Sequence, residues 1–225
     1  MERLILLYVN GLPFSSTRRR TDPELGLWMQ DKPALQQRLA RDLAALPSAL
    51  KPDVVLPFFR AFWLTIAREW SQIEALRLDK YLYLIRQYVN ASFKWLSKNE
   101  WKDKSKLEEY MEVLEEIPLN PVNMKIPNGL RFHVLDVYVD ELEKVDDVWQ
   151  TEKKSDTLDM LIRPVEKLTK DGKLKVIRKT AKECLDDDRV KAWRGEVTNE
   201  DQEMHDGDND DDEEEEEEEW GGIVD

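Results

Sequence analysis

Residues 52–73 read PDVVLPFFRAFWLTIAREWSQI, and their spacing decides the fold class. Val55, Phe58, Phe59, Phe62, Trp63, Ile66, Trp70 and Ile73 recur at steps of three and four. That period gathers them on one helix face, an aromatic-heavy one that must be covered by other elements. Pro57 falls early in the stretch, where a first helical turn tolerates it. On the N-terminal side, Asp31 can cap a helix that has Pro33 in its first turn. Leu35, Leu39, Leu43 and Leu46 line that helix until Pro47 ends it.

The same period continues towards the C-terminus. Residues 76–96 carry Leu78, Tyr81, Leu82, Ile85, Val89 and Trp95, and a polar break at 97–105 precedes a helix over 106–117. A loop bounded by Pro118, Pro121 and Pro127-Asn128-Gly129 leads to a helix over 130–148. Two more helices follow over 156–169 and 174–186, with Asp171-Gly172 between them. Sustained apolar–polar alternation is missing, so the body is expected to be all-α, with about seven helices in antiparallel pairs. A pair spacing of about 40–50 residues fits a stack of helical hairpins, a HEAT- or armadillo-like right-handed solenoid. Self-similarity between the pairs is poor, which leaves an irregular helical bundle as the alternative.

Residues 1–26 hold turn and breaker signals without a sustained period and read as an irregular lead-in. Their apolar run, Leu4 to Val9, is too short for a secretory signal, and no stretch approaches the roughly 20 apolar residues that span a bilayer. The net charge of −14 divides unevenly. Seventeen acidic residues and no lysine or arginine lie in residues 196–225, which leaves residues 1–195 at +3. The organisation expected is therefore a lead-in over 1–26, a helical domain over 27–195, and an acidic tail over 196–225. The tail has too few apolar residues to offset its ordering entropy and is expected to be disordered. A mildly basic body remains compatible with a nucleic-acid partner.

Catalytic signatures are missing. The sequence has no phosphate-cradling Gly-x-x-x-x-Gly-Lys loop, no Gly-x-Gly-x-x-Gly turn and no Gly-x-Ser-x-Gly elbow. One cysteine, Cys184, and two histidines, His133 and His205, do not suffice for a Cys- or His-based metal cage. A single cysteine also forms no internal disulfide and suits a reducing compartment. The expectation is a protein that is not an enzyme and takes no metal, cofactor or small-molecule substrate. A polar pocket around His133, Asp136 and Asp140 would reopen the question.

Two basic stretches are candidate RNA-binding sites. Lys94, Lys98, Lys102, Lys104 and Lys106 are interleaved with Trp95 and Trp101. Lysines there suit phosphates and Trp101 suits a base, unless the tryptophans face the core. The second stretch, 163–182, carries Arg163, Lys167, Lys170, Lys173, Lys175, Arg178, Lys179 and Lys182 against Glu166 and Asp171, a net +6. Phosphate contact and an ordinary solvated face are both open readings of it. The acidic run before Trp220 suits nucleic-acid mimicry, shielding of basic proteins, or solubility alone.

Longer strings carry a resemblance. Leu27-Trp28-Met29-Gln30-Asp31-Lys32-Pro33 is followed by Phe62-Trp63, Glu69-Trp70, Arg77-Leu78-Asp79-Lys80-Tyr81 and Leu84-Ile85-Arg86. Ile126-Pro127-Asn128-Gly129-Leu130-Arg131-Phe132-His133 then leads into Asp136 and Glu141-Leu142. In this order, over roughly residues 27–185, the sequence resembles the ribosomal RNA-processing protein 1 family of nucleolar large-subunit assembly factors. The first 26 residues depart from the family pattern.

The resemblance implies a non-enzymatic scaffold of nucleolar pre-60S particles, required for pre-rRNA processing and large-subunit maturation. It implies residence in the nucleus and nucleolus. The partners it implies are other assembly factors, including Brix-domain and β-propeller proteins, with pre-rRNA as a possible direct contact and no membrane. Under it Trp28, Trp63 and Trp70 are core or interface anchors. Arg77, Asp79 and Lys80 either knit neighbouring helices or face a partner, and knitting is the favoured expectation. The alternative function is an acidic-tailed adaptor or chaperone for basic nuclear proteins that does not touch RNA.

Overall fold

The computed structural model describes residues 32–98, 100–145 and 155–196. Among these the chain forms eight α-helices and no strand: α1 Pro33–Ala45, α2 Pro52–Glu69, α3 Leu78–Ser97, α4 Lys104–Glu116, α5 Asn128–Glu143, α6 Ser155–Asp171, α7 Lys175–Leu185 and α8 Asp188–Trp193. The lead-in over 1–26, Trp28, the Asp31 cap and the acidic tail from residue 197 lie outside the described residues.

Local sequence chemistry sets most helix ends. Pro33 and Pro52 stand in the first turns of α1 and α2, where their missing N–H has no intrahelical partner to lose. Asp103 caps α4 by accepting from the Lys106 N–H at 3.3 Å, and Asp187 caps α8 by accepting from the Arg189 N–H at 2.9 Å. The helix expected over 52–73 ends at Glu69 and tightens into a 3₁₀ turn, Trp70–Gln72. That expected over 130–148 ends at Glu143. The eighth helix, α8, was not expected, because six residues are too few to show a period.

Alternate helices pack together: α1 on α3, α3 on α5, and α5 on α7, while α4 packs on α6. Specific contacts fix their directions. Arg41 meets the Tyr83 hydroxyl at 3.0 Å, and the Tyr88 hydroxyl donates to the Leu43 carbonyl at 3.3 Å. His133 sits at Leu82, and Arg86 pairs with Asp140 at 2.9 Å. In each pair a later residue of one helix meets a later residue of the next, so α1, α3 and α5 run the same way. By the same argument Glu108 and Glu115 of α4 meet Arg163 and Lys167 of α6 in parallel order. The tightest sequential pairing is α6 with α7.

The core gathers the aromatic residues of the 52–73 stretch. Phe62 stacks on Tyr88 with ring centroids 3.6 Å apart, and Phe59 meets Tyr110 edge-on at 5.5 Å. Such pairs contribute about 0.5–1.5 kcal/mol beyond their burial. Glu100 and Trp101 take left-handed backbone angles, φ 57° and 61°, in the turn between α3 and α4. The strain is of order 1–3 kcal/mol per residue. It swings the Trp101 ring into the core, and burial of that ring offsets the cost.

Helix α5 is buried around most of its circumference. Its Tyr138 hydroxyl donates to the Leu161 carbonyl of α6 at 2.6 Å, so it touches both rows. Glu141, only 2% exposed, is held by Arg86 at 2.5 Å and Lys144 at 2.6 Å. In the first turn of α5, Arg131 is 3% exposed and bonds backbone rather than a carboxylate. Its guanidinium donates to the carbonyls of Asn120, Asn123 and Ile126 and to Asn128 Oδ1. This clasp fixes the loop before α5 and therefore the position of Gly129.

Candidate interaction surfaces

The first basic stretch surrounds a buried ring. Trp101 is 3% exposed, so no base stacks on it, and the expectation of a lysine–tryptophan stacking platform is corrected. The reason is the left-handed turn, which directs the ring inward while the lysines remain outside. Lys102 pairs with Glu100 at 2.7 Å, Lys106 pairs with Asp103, and Lys104 Nζ donates to Thr157 Oγ1 at 2.5 Å. The Lys106 contact, chiefly its hydrogen bond, holds the Asp103 carboxyl below its ordinary range. Lys94 and Lys98 are exposed and have no ion pair among the described residues.

The second stretch divides into two kinds of residue. Arg163 bridges Glu108 and Glu115, and Lys167 pairs with Glu115 at 2.9 Å, so both join α6 to α4. Arg178 donates to the carbonyls of Gly172 at 2.7 Å and Lys173 at 3.2 Å, locking the α6–α7 turn. Gly172 has no substitute there: a Cβ would lie 2.5 Å from the Leu168 carbonyl oxygen. Arg163, Lys167 and Arg178 thus each make an internal contact. Lys170, Lys173, Lys175, Lys179 and Lys182 are exposed, and Lys179 has only a loose contact with Glu183 at 3.8 Å. On α7, Lys175, Lys179 and Lys182 follow i, i+4, i+7 spacing and share one face.

The two stretches do not merge. Lys104 touches Thr157 in the first turn of α6, whereas Lys170 stands in its last turn. Thirteen residues of helix separate those points by about 20 Å.

A third feature was not anticipated from the sequence. Helices α3, α5 and α7, with the turn after α2, enclose an open cleft of 640 Å³. Trp70, Leu78, Leu82 and Phe132 give it apolar walls, and His133, Asp136, Glu183 and Cys184 also line it. Gly129 abuts the Trp70 indole, where a Cβ would come within 3.0 Å of Cζ2. The strings around Trp70, Leu78 and Gly129 therefore meet in space although about 60 residues separate the first from the last.

Of the cleft's titratable groups, His133 is engaged and Cys184 is unreactive. His133 Nε2 lies 2.8 Å from the Leu82 carbonyl, which assigns the proton to Nε2 in a neutral ring. Burial is the main cause that lowers its pKa below 6.5; the Leu82 bond and Asp136 oppose it in part. Burial pushes the Cys184 thiol up to about 12, so it stays protonated and is a poor nucleophile. Asp140 does not line the cleft and instead pairs with Arg86 and Arg189. The described residues hold no group of three or more His, Cys, Asp or Glu side chains able to bind a metal ion.

A pH dependence follows for His133. Its folded pKa lies below the unfolded value, so the unfolded chain takes up the proton first as pH falls. Stability from this group is complete above about pH 6.5 and declines below it. His133→Gln keeps an N–H for Leu82 and is expected to flatten the melting temperature between about pH 6.5 and 5. An unchanged slope in thermal scans would assign the dependence to another group.

Among the family-motif residues, Trp63 is fully buried and donates from Nε1 to the Tyr110 hydroxyl at 3.2 Å, while Trp70 is half-buried at the cleft. Arg77 pairs with Glu74 three residues earlier at 3.3 Å, a local contact. Lys80 is half-buried in α3. Asp79 is exposed in the first turn of α3 with no ion pair among the described residues. The expectation that Asp79 knits helices is therefore corrected; its place suits the positive end of the helix dipole. Arg86, Arg163 and Arg189 do join helices and Arg131 clasps the loop before α5, and none was singled out for such a role.

Comparison with known proteins agrees with these motifs. The family model described as nucleolar protein, Nop52, matches residues 25–222. The human ribosomal RNA processing protein 1 homolog B is 42% identical over 120 residues, which are 53% of this chain and 16% of that relative. The human homolog A is 39% identical over 120 residues, 53% of this chain and 26% of the relative. The Caenorhabditis elegans homolog is 31% identical over 118 residues, 52% of this chain and 29% of the relative. The chain thus matches less than a third of the length of each of these relatives. With residues 25–222 accounted for by one family model, this chain belongs to the Nop52 family of nucleolar proteins.

Proposed function

We propose that the chain is a non-enzymatic scaffold in ribosome biogenesis, acting within nucleolar pre-60S particles during pre-rRNA processing. The family match over residues 25–222 carries this reading, because it spans the helical body and the acidic stretch together. The relatives named ribosomal RNA processing protein 1 homologs support a place in rRNA processing. The structure supports a binding role through what it exposes. Rows of helices joined by arginine–carboxylate contacts make a stiff support, and Lys170, Lys173, Lys175, Lys179 and Lys182 project from it into solvent. Such lysines act as point charges on phosphate, giving affinity without base specificity. The protein partners belong to the assembly-factor class, Brix-domain and β-propeller proteins among them, and the site of action is the nucleolus.

Salt dependence of RNA binding tests the lysine surface. Replacing Lys175, Lys179 and Lys182 together by glutamine is expected to reduce the slope of log affinity against log salt by about 2–3, one charge contact each. The melting temperature should stay unchanged, because all three are exposed. An unaltered slope would leave this face as ordinary solvated surface and move RNA contact to Lys94 and Lys98 or remove it. Deleting residues 196–225 separates the scaffold from a chaperone of basic proteins. The scaffold still enters its particle without the tail, whereas the chaperone loses its function.

A further inference from the structure

The cleft between α3, α5 and α7 has a composition that the lysine surface does not explain. Its walls are apolar, with Leu78, Leu82 and Phe132 half-buried and accessible from the opening. Trp70 closes one side and is held there by Gly129. The volume of 640 Å³ falls within the roughly 300–1,000 Å³ of clefts that accept ligands. Its open form, however, would leave a small molecule too exposed, since such ligands are usually 70–90% buried. A protein segment that lays a few side chains into the cleft and keeps its backbone outside fits this form.

Charge narrows the occupant. Arg189 is the one cationic side chain among the described residues of the lining, and it is engaged by Asp140, Glu143 and Asp187 at 2.8–3.0 Å. Asp136 is exposed and has no ion pair among the described residues. Glu183, also exposed, has only the 3.8 Å contact with Lys179. The opening therefore presents two under-compensated carboxylates beside apolar walls. This repels phosphate and disfavours RNA, and it complements a segment that carries lysine or arginine next to apolar anchors. Two residues before Leu78 in the chain, Leu76 is 95% exposed, an apolar side chain left in water.

We propose that this cleft is the docking site for a segment of a partner protein, a short helix with apolar side chains on one face and basic residues flanking them. The inference deepens the scaffold reading by naming the chemistry of one partner, and it rests on that reading only for the partner being a protein. The acidic cleft and the lysine face of α7 then serve different ligands from one helix, and they adjoin where Glu183 lies 3.8 Å from Lys179.

Selection of random 16-residue peptides displayed on phage against the full chain supplies the probe, and fluorescence anisotropy of a synthetic peptide from the enriched pool measures affinity. The expected pool pairs apolar residues at i and i+3 or i+4 with lysine or arginine. The double variant Asp136→Lys, Glu183→Lys should weaken binding of that peptide at least tenfold with an unchanged melting temperature, both positions being exposed. The single variant Glu183→Lys should give a smaller loss. An acidic pool, or an affinity indifferent to the double variant, would overturn the proposal. So would sedimentation showing a dimer that the double variant dissociates, because the occupant would then be a second copy. A gain in affinity on removing residues 1–31 would overturn it as well, by making the chain its own occupant. No ribosomal component enters this experiment, so its failure is distinct from failure of the pre-60S reading.

Discussion

Arg131→Ala is expected to destabilise the fold by about 4 kcal/mol, the upper range for a point substitution. The guanidinium is 3% exposed and makes five donor contacts, at 2.5–3.1 Å, to Asn120, Asn123, Ile126 and Asn128. Hydrogen bonds to a charged group contribute about 1.5–3 kcal/mol each, and a buried acceptor left unsatisfied costs about 1–3 kcal/mol. Some of the loop carbonyls will find water, which brings the sum down to the stated figure. For a domain of this size the melting temperature should fall by roughly 8–16 °C. Arg131→Lys keeps the charge but not the planar fork, so it is expected to recover less than half of the loss. Thermal denaturation of both variants checks this. If Arg131→Ala melts within about 2 °C of the parent, the clasp is not what holds the loop.

Trp63→Ala is expected to cost about 3–5 kcal/mol, by removing a fully buried ring from the aromatic core and leaving a cavity. The smaller change Trp63→Phe retains a ring against Phe62 and removes the Nε1 bond to Tyr110. Its expected cost is about 1–2 kcal/mol, since the buried Tyr110 hydroxyl loses a donor. Burial already pushes the Tyr110 phenol up to about 12, so ionisation offers it no escape at neutral pH. Chemical denaturation of the pair distinguishes the ring from the bond. Equal losses in the two variants would assign the whole effect to the hydrogen bond.

These two residues also show how far the sequence could be read. Trp63 lies in a stretch whose period of three and four declares a buried helix face, so its burial and the all-α class were legible. Arg131 lies in the middle of a string that marked the family but gave no hint of a role, because a buried arginine bonded to carbonyls leaves no charge partner in the sequence. Trp101 was misplaced for a related reason. Two consecutive non-glycine residues with positive φ are not readable from residue types, and they decide whether the ring faces a base or the core. The lysines were legible as a cluster, but not their division. Arg163 and Lys167 pair with glutamates 48 and 52 residues away, whereas Lys175 and Lys182 have no such partners among the described residues. The cleft was illegible altogether, since Trp70, Gly129 and Glu183 come from distant parts of the chain.

The division of surfaces gives the scaffold reading its physical content. Carboxylates that face other helices are matched by arginines and stiffen the rows, as with Glu141 and Arg86. Exposed lysines on α7 and an acidic, apolar-walled cleft beside them then present two unlike surfaces close together. On the proposed reading, a support of this kind holds two unlike ligands in fixed relation.

Purification of the tagged full chain from nucleoli, with sequencing of the associated RNA and mass spectrometry of the associated proteins, tests the central claim most directly. The account predicts precursors of the large-subunit rRNAs together with large-subunit assembly factors, retained when residues 196–225 are removed. Recovery of small-subunit precursors alone, or of basic nuclear proteins without any ribosomal precursor, would contradict it.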